Sequence, residues 1–460
     1  MKQIMKKIND YVMVGLAAVL CIFMVCIVAR ILTKNILVEK LDINNRFTQF
    51  VLQGVQTADV IDEATGDMFV AIDWEGMYPF EEVNHKEAEL AADSGNASLL
   101  DKYRAMISSV TNVVNDYCTT YLMNRTQFVE MGYAYDSLLN WTITPIEATD
   151  GVIFLENDYL AQLHAESDVS AIAENVVSLD TYLKDKGIDM LYIQAPAKMS
   201  MTDKQLPAGM EDYANENADA LLAKLENEGV DTLDFRPKMY EISEDFYGAF
   251  YKTDHHWKTS TAFEMAGVLA EYLNTNYGYE FDEKYYDLEQ YTVEHYEDYF
   301  LGSLGKKVTL AMSEPEDYEL IVPNFATDFS IQIPEREIDL KGSFEDTLLD
   351  YRHLAEVDYY NENCYASFMN RNDATATIHN NIPTCNEGKK ILFIKDSYST
   401  PFIPYIALGV EDVETLYEIR YTGSVRSYIE SVQPDMVIVM YSADNVGGDG
   451  SGRTNVFNLQ

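Results

Sequence analysis

The chain has 460 residues, with 33 Lys or Arg and 76 Asp or Glu, so its formal net charge at pH 7 is −43. This balance excludes a nucleic-acid-binding protein, because such a protein needs a basic surface to displace counterions from phosphates. With 47% hydrophobic and 12% aromatic residues, the chain is also too apolar for a disordered acidic protein. A mean hydropathy of −0.19 excludes a polytopic membrane protein.

The N-terminus predicts a single transmembrane signal anchor over residues 11–32. Residues 11–28 carry no charge and Arg30 is the only charge up to residue 32, which is about the length needed to cross ~30 Å of hydrocarbon. Three lysines precede this stretch: Lys2, Lys6 and Lys7. They predict a cytoplasmic tail over residues 1–10, with the C-terminal body outside the cell membrane. A cleaved signal peptide is the alternative.

The cysteines leave one question open. Cys364 and Cys385 are close enough in sequence to form a disulfide, which an exported domain permits. Two separate buried thiols are the alternative. The chain has no C-x-x-C motif, so a cysteine zinc site is not expected.

The pattern of elements changes near residue 150. Residues 33–149 predict a stalk and an acidic, partly helical region. Further along, a strand at 151–155 precedes a helix whose apolar stripe ends before Gly187, and buried strands follow at 190–194 and 230–235, on either side of a helix at 215–228.

The second half of this region repeats the alternation. A capping box, Thr261 with Glu264, predicts the start of a helix after residue 257. Residues 306–389 carry short alternating runs and predict a β-rich insertion. Strands and helices then alternate, at 391–394, 399–409, 413–419, 423–432 and 436–440. Strand–helix alternation with short links predicts an α/β domain over 150–446, in which helices cover both faces of a parallel sheet, followed by a tail at 447–460.

Two short segments carry candidate catalytic residues. In Thr253-Asp254-His255-His256-Trp257, an Asp two residues before a His can hold the imidazole in one tautomer. In Lys395-Asp396-Ser397-Tyr398-Ser399, a serine follows a buried strand, where reactive groups collect in parallel sheets. Ser397 is a weak nucleophile until a base such as His256 takes its proton, and its backbone N–H at the following helix start can help to bind an oxyanion.

Each segment also has a plainer interpretation. The Asp-His-His-Trp run can be a structural turn with Trp257 packed beneath it, or half of a metal site, although no His-rich partner segment is present. The Asp-Ser-Tyr-Ser run is by itself more typical of a turn with an N-cap serine. No G-x-S-x-G is present, which argues against a nucleophile elbow of the α/β-hydrolase type.

Taken together, the two segments resemble the DHHW protein family of bacteria, which is similar to the AlgX and AlgJ SGNH-hydrolase-like proteins of alginate O-acetylation. In those proteins an Asp-x-His-Trp segment precedes a Thr-Ser-Tyr-Ser segment. Four further runs support the resemblance: Asp150-Gly151-Val152-Ile153-Phe154, Gln194-Ala195-Pro196-Ala197-Lys198, Phe300-Leu301-Gly302-Ser303-Leu304-Gly305 and Arg420-Tyr421. The resemblance covers about residues 150–446.

The resemblance implies an SGNH-hydrolase-like three-layer α/β/α fold with a Ser-His-Asp triad. Ser397 would be the nucleophile, His256 the general base and then acid, and Asp254 the group that orients His256, whereas His255 would point away and pack. Asn445, after the last strand, is a weak candidate for the oxyanion donor. Lys198 would either meet a substrate carboxylate or brace Asp396, which replaces the Thr of the alginate proteins. No metal or cofactor is implied.

The implied chemistry is acyl transfer from an acyl-serine to a sugar hydroxyl or to water, which makes the chain an O-acetyltransferase or an acetylesterase. Membrane anchoring favours transfer onto a cell-surface or secreted polysaccharide, with a membrane-bound O-acyltransferase as partner. The net charge favours a neutral or zwitterionic glycan. The competing hypothesis is a non-catalytic cell-surface module that binds glycan or organises an envelope complex.

Overall fold

The computed structural model describes residues 152–243, 245–446 and 457–459, together with two short strands at 60–62 and 67–69. All of them fall within one of two compact units of the chain, formed by residues 60–69 and 129–460. The predicted tail at 1–10 and the predicted anchor at 11–32 lie outside the described residues, as do most of the predicted 33–149 and 447–460 regions. Among the residues that are described, no helix is both long and apolar enough to span a membrane.

The strands are numbered in chain order. They are β1 (Val60–Asp62), β2 (Asp67–Phe69), β3 (Val152–Phe154), β4 (Leu160–Gln162), β5 (Asp189–Ala195), β6 (Thr232–Asp234), β7 (Tyr291–Phe300), β8 (Glu316–Pro323), β9 (Phe329–Ile333), β10 (Ile338–Gly342), β11 (Thr375–Asn380), β12 (Lys390–Lys395), β13 (Asp412–Leu416) and β14 (Met436–Ser442).

The α-helices are numbered in the same way. They are α1 (Ser170–Lys186), α2 (Ala214–Asn227), α3 (Met239–Ile242), α4 (Thr259–Asn276), α5 (Ser303–Val308), α6 (Phe344–Leu348), α7 (Ile403–Ala407) and α8 (Val425–Val432).

A mixed eight-stranded sheet lies at the centre, in the order β10-β9-β11-β13-β12-β14-β5-β6. The five strands from β13 to β6 are parallel to one another. The other three are antiparallel to their neighbours and extend the edge at β13. The expectation of a parallel sheet is therefore wrong for this edge, because strands of the predicted insertion join the sheet instead of forming a separate unit.

The predicted insertion at 306–389 also pairs with a strand that precedes it in the chain. Its first strand, β8, pairs with β7, which begins at Tyr291 and so precedes the predicted start at residue 306. Alternation of apolar and polar residues predicts that a segment is a strand, but it carries no information about which strand is its partner.

Helices cover both faces of the sheet, which confirms the three-layer arrangement. Along β5, Tyr192 packs with α1, α2 and α8, whereas Leu191 and Ile193 pack with α4 and α7. Successive side chains of a strand point to opposite faces, so each parallel strand supplies both layers. This geometry explains the nearly continuous apolar runs of β5, β12 and β14.

Helix ends agree with the sequence in one case and differ in two others. Gly187 ends α1 with a positive φ of 72°, as predicted. The prediction that Thr261 and Glu264 form a capping box at the start of α4 is wrong. The helix begins at Thr259, and the Thr261 hydroxyl donates to the Ala249 carbonyl. The helix predicted at 399–409 is shorter and consists of a 3-10 turn, Ser397–Ser399, followed by α7.

Cys364 and Cys385 are not bridged. Both are free thiols, and Cys364 is buried whereas Cys385 is exposed. Burial raises the pKa of the Cys364 thiol to about 12, so it is an unreactive core residue.

Candidate active site

Ser397 and His256 meet at the carboxyl ends of the parallel strands, although 141 positions separate them. Ser397 follows β12 directly and opens the 3-10 turn, and His256 lies in the loop before α4. His256 Nε2 is 2.6 Å from Ser397 Oγ, which is a hydrogen-bond distance. His256 is fully buried and Ser397 is half-buried, so the serine is the more accessible member of the pair.

Asp254 holds the other side of the His256 ring. Its Oδ1 lies 2.5 Å from His256 Nδ1 and also accepts the His256 backbone N–H. Burial by itself would raise the pKa of the Asp254 carboxyl, but His255 and His256 beside it, with a hydrogen bond from the Ser303 N–H, hold that pKa well below its usual range. An ionised Asp254 fixes the proton of neutral His256 on Nδ1, which leaves Nε2 free to accept the serine proton.

The turn at residues 302–303 fits closely against Asp254. The Ser303 N–H, in the first turn of α5, donates to Asp254 Oδ2 at 2.6 Å. A Cβ on Gly302 would lie 2.3 Å from the Asp254 Cβ, so only glycine allows this approach. The run Phe300 to Gly305, which carries part of the family resemblance, therefore supports the orienting carboxylate.

Asp396 anchors the Ser397 turn to the end of β14. One carboxylate oxygen accepts the Ser442 N–H at 2.6 Å and the Asn445 side-chain amide at 2.8 Å, and the other accepts the Tyr398 N–H at 3.0 Å. The Asn445 amide also donates to Ser442 Oγ at 3.2 Å. Two acceptors thus lie within reach of this amide, and in this position Asn445 braces Asp396. Its candidate role as an oxyanion donor stays a prediction.

Lys198 lies behind the site. It is 3% exposed, and its ammonium donates to the Leu160 carbonyl at 2.7 Å and the Lys252 carbonyl at 3.2 Å. Among the described residues, its ammonium makes no hydrogen bond or ion pair with Asp396, one of its two expected partners. Burial lowers the pKa of Lys198 to about 8, against the opposing effect of the nearby carboxylates.

Aromatic side chains join the two segments. The Trp257 indole N–H donates to the Tyr398 carbonyl at 2.9 Å, and its fully buried ring stacks on Phe402, in agreement with a supporting role beneath the site. The Tyr365 ring stacks on His256 with centroids 4.0 Å apart, and its hydroxyl donates to the Ser397 carbonyl at 3.3 Å. These contacts restrict the imidazole to one plane.

His255 does not point away, which corrects the expectation from the sequence. Its ring centroid lies 3.8 Å from that of His256, and its Nδ1 is 3.4 Å from Asp254 Oδ1 and 3.2 Å from Ser303 Oγ. The two imidazoles therefore share one carboxylate. Burial and the neighbouring His256 lower the pKa of His255 to about 4, so it is neutral near pH 7.

A metal ion is the alternative occupant of this cluster, since Asp254, His255 and His256 place ligand atoms within 4.8 Å of one another. Two ligands at about 2 Å from one tetrahedral ion lie about 3.3 Å apart. The 2.5 Å between Asp254 Oδ1 and His256 Nδ1 is shorter than this and is a hydrogen-bond distance. The arrangement therefore favours a hydrogen-bonded pair.

Part of the chain is similar to a known acetyltransferase domain. Residues 146–347 match the model of the SGNH hydrolase-like domain of the acetyltransferase AlgX. The AlgX-type match includes Asp254 and His256 and ends before Ser397. A curated relative, the alginate biosynthesis protein AlgX of Pseudomonas aeruginosa, is 32% identical over 103 residues, which are 21% of this chain. The chain spans about a fifth of the length of that relative.

Solved structures support the same fold. PatB1 of Bacillus cereus matches with a TM-score of 0.54 and 19% identity, over 66% of this chain and 97% of PatB1. A DHHW family protein from Eubacterium siraeum matches with a TM-score of 0.51 and 16% identity, over 65% of this chain and 91% of its own. These identities show the fold alone. Together with the AlgX-type match, they confirm the predicted resemblance.

Several residues of the site escape prediction from sequence. Tyr365 lies within the β-rich insertion, where no motif singles it out, and it reaches His256 only because the insertion folds back over the site. Ser303 belongs to a run noticed for its resemblance, but its backbone contact with Asp254 has no signature in sequence. Gly302, directly before the helix, indicates only that a close backbone approach is possible there and does not identify the partner.

Proposed function

We propose that this chain is a membrane-anchored, extracytoplasmic serine acyltransferase that O-acetylates a cell-surface or secreted polysaccharide. The observation that carries the proposal is the 2.6 Å separation of His256 Nε2 and Ser397 Oγ, with Asp254 at His256 Nδ1. A nucleophile, a base in reach of it and a group that orients the base are the three parts of an activated serine.

In the proposed reaction, Ser397 Oγ attacks the carbonyl carbon of an activated acyl ester while His256 Nε2 takes the hydroxyl proton. His256 then returns this proton to the leaving group as the donor C–O bond breaks, which leaves acyl-Ser397. An acceptor hydroxyl repeats the sequence in reverse and releases the acetyl ester of the acceptor. Asp254 stays ionised throughout and stabilises the imidazolium that forms in each step.

Hydrolysis differs only in the acceptor, because water can take the place of the sugar hydroxyl. Transfer is favoured by the predicted anchor, which would hold the domain beside a membrane-bound O-acyltransferase that supplies acyl groups. The AlgX-type domain match supports a polysaccharide acceptor. The net charge of −43 supports a neutral or zwitterionic glycan, since a polyanion would be repelled.

The test uses the full-length protein and p-nitrophenyl acetate as an artificial donor. Ser397→Ala and His256→Ala should each lower the rate of nitrophenol release by about 10³-fold or more. Ser431→Ala, at an exposed serine of α8, is the matched control and should retain the wild-type rate. Full activity in Ser397→Ala would refute the nucleophile assignment, and an inactive wild-type protein that binds glycan would favour the non-catalytic module.

A further inference from the structure

His255 is a titratable group beside His256 for which the proposed reaction has no use. Its side chain is 26% exposed, whereas that of His256 is fully buried. Its Nδ1 faces Asp254 Oδ1 and Ser303 Oγ, and its Nε2 has no hydrogen-bond partner among the described residues. Of the two histidines, His255 is therefore the more accessible, and its Nε2 is the nitrogen without a partner among the described residues.

The two imidazoles lie against one another beside the same carboxylate. His256 Nδ1 is hydrogen-bonded to Asp254 Oδ1 at 2.5 Å, whereas His255 Nδ1 lies 3.4 Å from that oxygen and 3.2 Å from Ser303 Oγ. The ring centroids are 3.8 Å apart. Since Nε2 lies across the ring from Nδ1, His256 Nε2 lies on the side away from Asp254. On that side His256 Nε2 meets Ser397 Oγ.

The tautomer of His255 follows from its neighbours. An Nδ1 placed between a carboxylate and a hydroxyl is favoured as the N–H donor, which leaves a lone pair on Nε2 in the neutral ring. Burial and the neighbouring His256 and Lys198 lower the pKa of His255 to about 4, against the opposing effect of the Asp254 and Asp444 carboxylates. His255 Nε2 is accordingly a hydrogen-bond acceptor near pH 7.

We propose that His255 is a specificity-determining residue that selects a vicinal diol as the acyl acceptor. This inference rests on the proposed function. One hydroxyl of the diol donates to His256 Nε2 and attacks acyl-Ser397, and the neighbouring hydroxyl donates to His255 Nε2. Adjacent hydroxyls of a sugar ring are spaced to meet two side-by-side acceptor nitrogens, whereas an isolated primary hydroxyl meets only one.

The transfer step balances without a further reactant. The attacking oxygen forms a bond to the acyl carbon, and its proton passes to His256 Nε2. The bond from the acyl carbon to Ser397 Oγ then breaks, and His256 returns the proton to Ser397 Oγ. The second hydroxyl keeps its proton throughout, because it only donates a hydrogen bond to His255.

The experiment measures the rate of acetyl transfer from p-nitrophenyl acetate to two acceptors at equal concentration, trans-1,2-cyclohexanediol and cyclohexanol. The rate for each acceptor is divided by its number of hydroxyl groups, and the ratio of the diol rate to the cyclohexanol rate is compared between variants. We expect the wild-type full-length protein to prefer the diol by about three- to tenfold, which is the ratio that one neutral hydrogen bond supplies. In His255→Phe, which keeps a flat ring without nitrogen, the ratio should fall to about one. His255→Gln, whose amide oxygen can accept, should retain part of the preference.

His379→Phe is the matched control. His379 is 41% exposed and pairs with Asp412 at the amino end of β13. Because β13 is parallel to β12, this pair lies at the opposite end of the strands from Ser397. Its ratio should equal that of the wild type. A thermal melt of each variant shows whether it is folded. If His255→Phe does not fold, His255→Gln is used in its place.

A second readout needs no variant of His255. With methyl α-glucoside as acceptor, the wild-type product should carry acetyl on the secondary ring hydroxyls, as read by NMR. Exclusive acetylation of the primary hydroxyl would overturn the proposal, as would an unchanged diol ratio in His255→Phe and His255→Gln. A failure of the proposed function is distinct from these outcomes, because it would appear as nitrophenol release that does not depend on Ser397.

Discussion

The segments around Asp254 and Asp396 each place a buried aspartate beside the Ser397–His256 pair, at 1% and 2% exposure. Asp254 faces two imidazoles, and its pKa is held well below its usual range. Asp396 accepts only neutral donors, from Ser442, Asn445 and Tyr398, and burial raises its pKa despite these hydrogen bonds. Burial is common to both, so the nature of the partners decides the direction in which the pKa of each carboxyl is shifted.

This difference separates an electrostatic role from a positioning role. Asp254 is ionised beside a ring that becomes positive during the reaction, and its charge therefore acts on the transition state. Asp396 ties the turn that carries Ser397 to the end of β14, so its hydrogen bonds set where the hydroxyl lies. The following predictions test this assignment in order of decreasing effect.

Asp254→Asn should have the largest effect. The amide presents an N–H or a weaker acceptor to His256 Nδ1, which destabilises the required tautomer and the imidazolium, and the rate should fall by about 10³- to 10⁴-fold. Nitrophenol release from p-nitrophenyl acetate measures it. A loss of less than about tenfold in a folded variant would contradict an electrostatic role for Asp254.

Gly302→Ala should act through Asp254 without removing it. The added Cβ would lie 2.3 Å from the Asp254 Cβ and 2.6 Å from the Thr253 carbonyl, so the segment must shift. A displacement of this kind near a catalytic group can lower the rate by about 10²-fold. Gly248→Ala is the control. Its added Cβ would also meet a neighbour closely, the Asp245 side chain at 3.0 Å, but its three nearest atoms all belong to Asp245 and not to Asp254. Equal losses in both would argue against the proposed contact.

Asp396→Asn should lower the rate by about tenfold or less and should mainly reduce stability. The amide nitrogen would face backbone N–H donors, and a buried donor left without an acceptor costs about 1–3 kcal/mol. Asn445→Ala removes one of the same hydrogen bonds and should have a smaller effect on both quantities. A rate loss of about 10²- to 10³-fold in Asn445→Ala would instead point to an oxyanion donor.

The pH dependence of stability should separate the two aspartates most finely. Because the folded pKa of Asp254 is lowered, its contribution is present above an unfolded-state pKa of about 4 and is lost as the pH falls below that value. Because the folded pKa of Asp396 is raised, stability is lost as the pH rises from about 4 through the folded value. The measurement is the difference in Tm between each variant and the wild type, between about pH 3 and pH 7. For Asp254→Asn this difference should become smaller toward acid pH, and for Asp396→Asn it should become smaller toward neutral pH. The same trend in both variants would remove the distinction.

Much of the fold follows from local sequence. The apolar runs that became β5, β12 and β14, and the helix ended by Gly187, are encoded by short-range periodicity and by one left-handed residue. The candidate residues Asp254, His256 and Ser397 are also readable, since two motifs in a fixed order mark them. These features depend on residues a few positions apart, which a single chain displays directly.

Strand partners and the contacts between distant segments depend on the folded chain. The insertion was readable as β-rich, but its pairing with β13 depends on which edge is open, and that is decided by the whole sheet. The positions of Asn445 and Lys198 after strands predict that they belong to the site. Their partners are Asp396 and two backbone carbonyls, which lie far away in sequence.

The sequence by itself determined the α/β class, the three candidate catalytic residues and their order, because residue type and local spacing carry that information. Only the tertiary structure decided that the sheet is mixed, that His255 shares Asp254 with His256, and that Cys364 and Cys385 stay apart. Each of these depends on distances between segments brought together by burial of apolar side chains, and burial is a property of the whole packed domain.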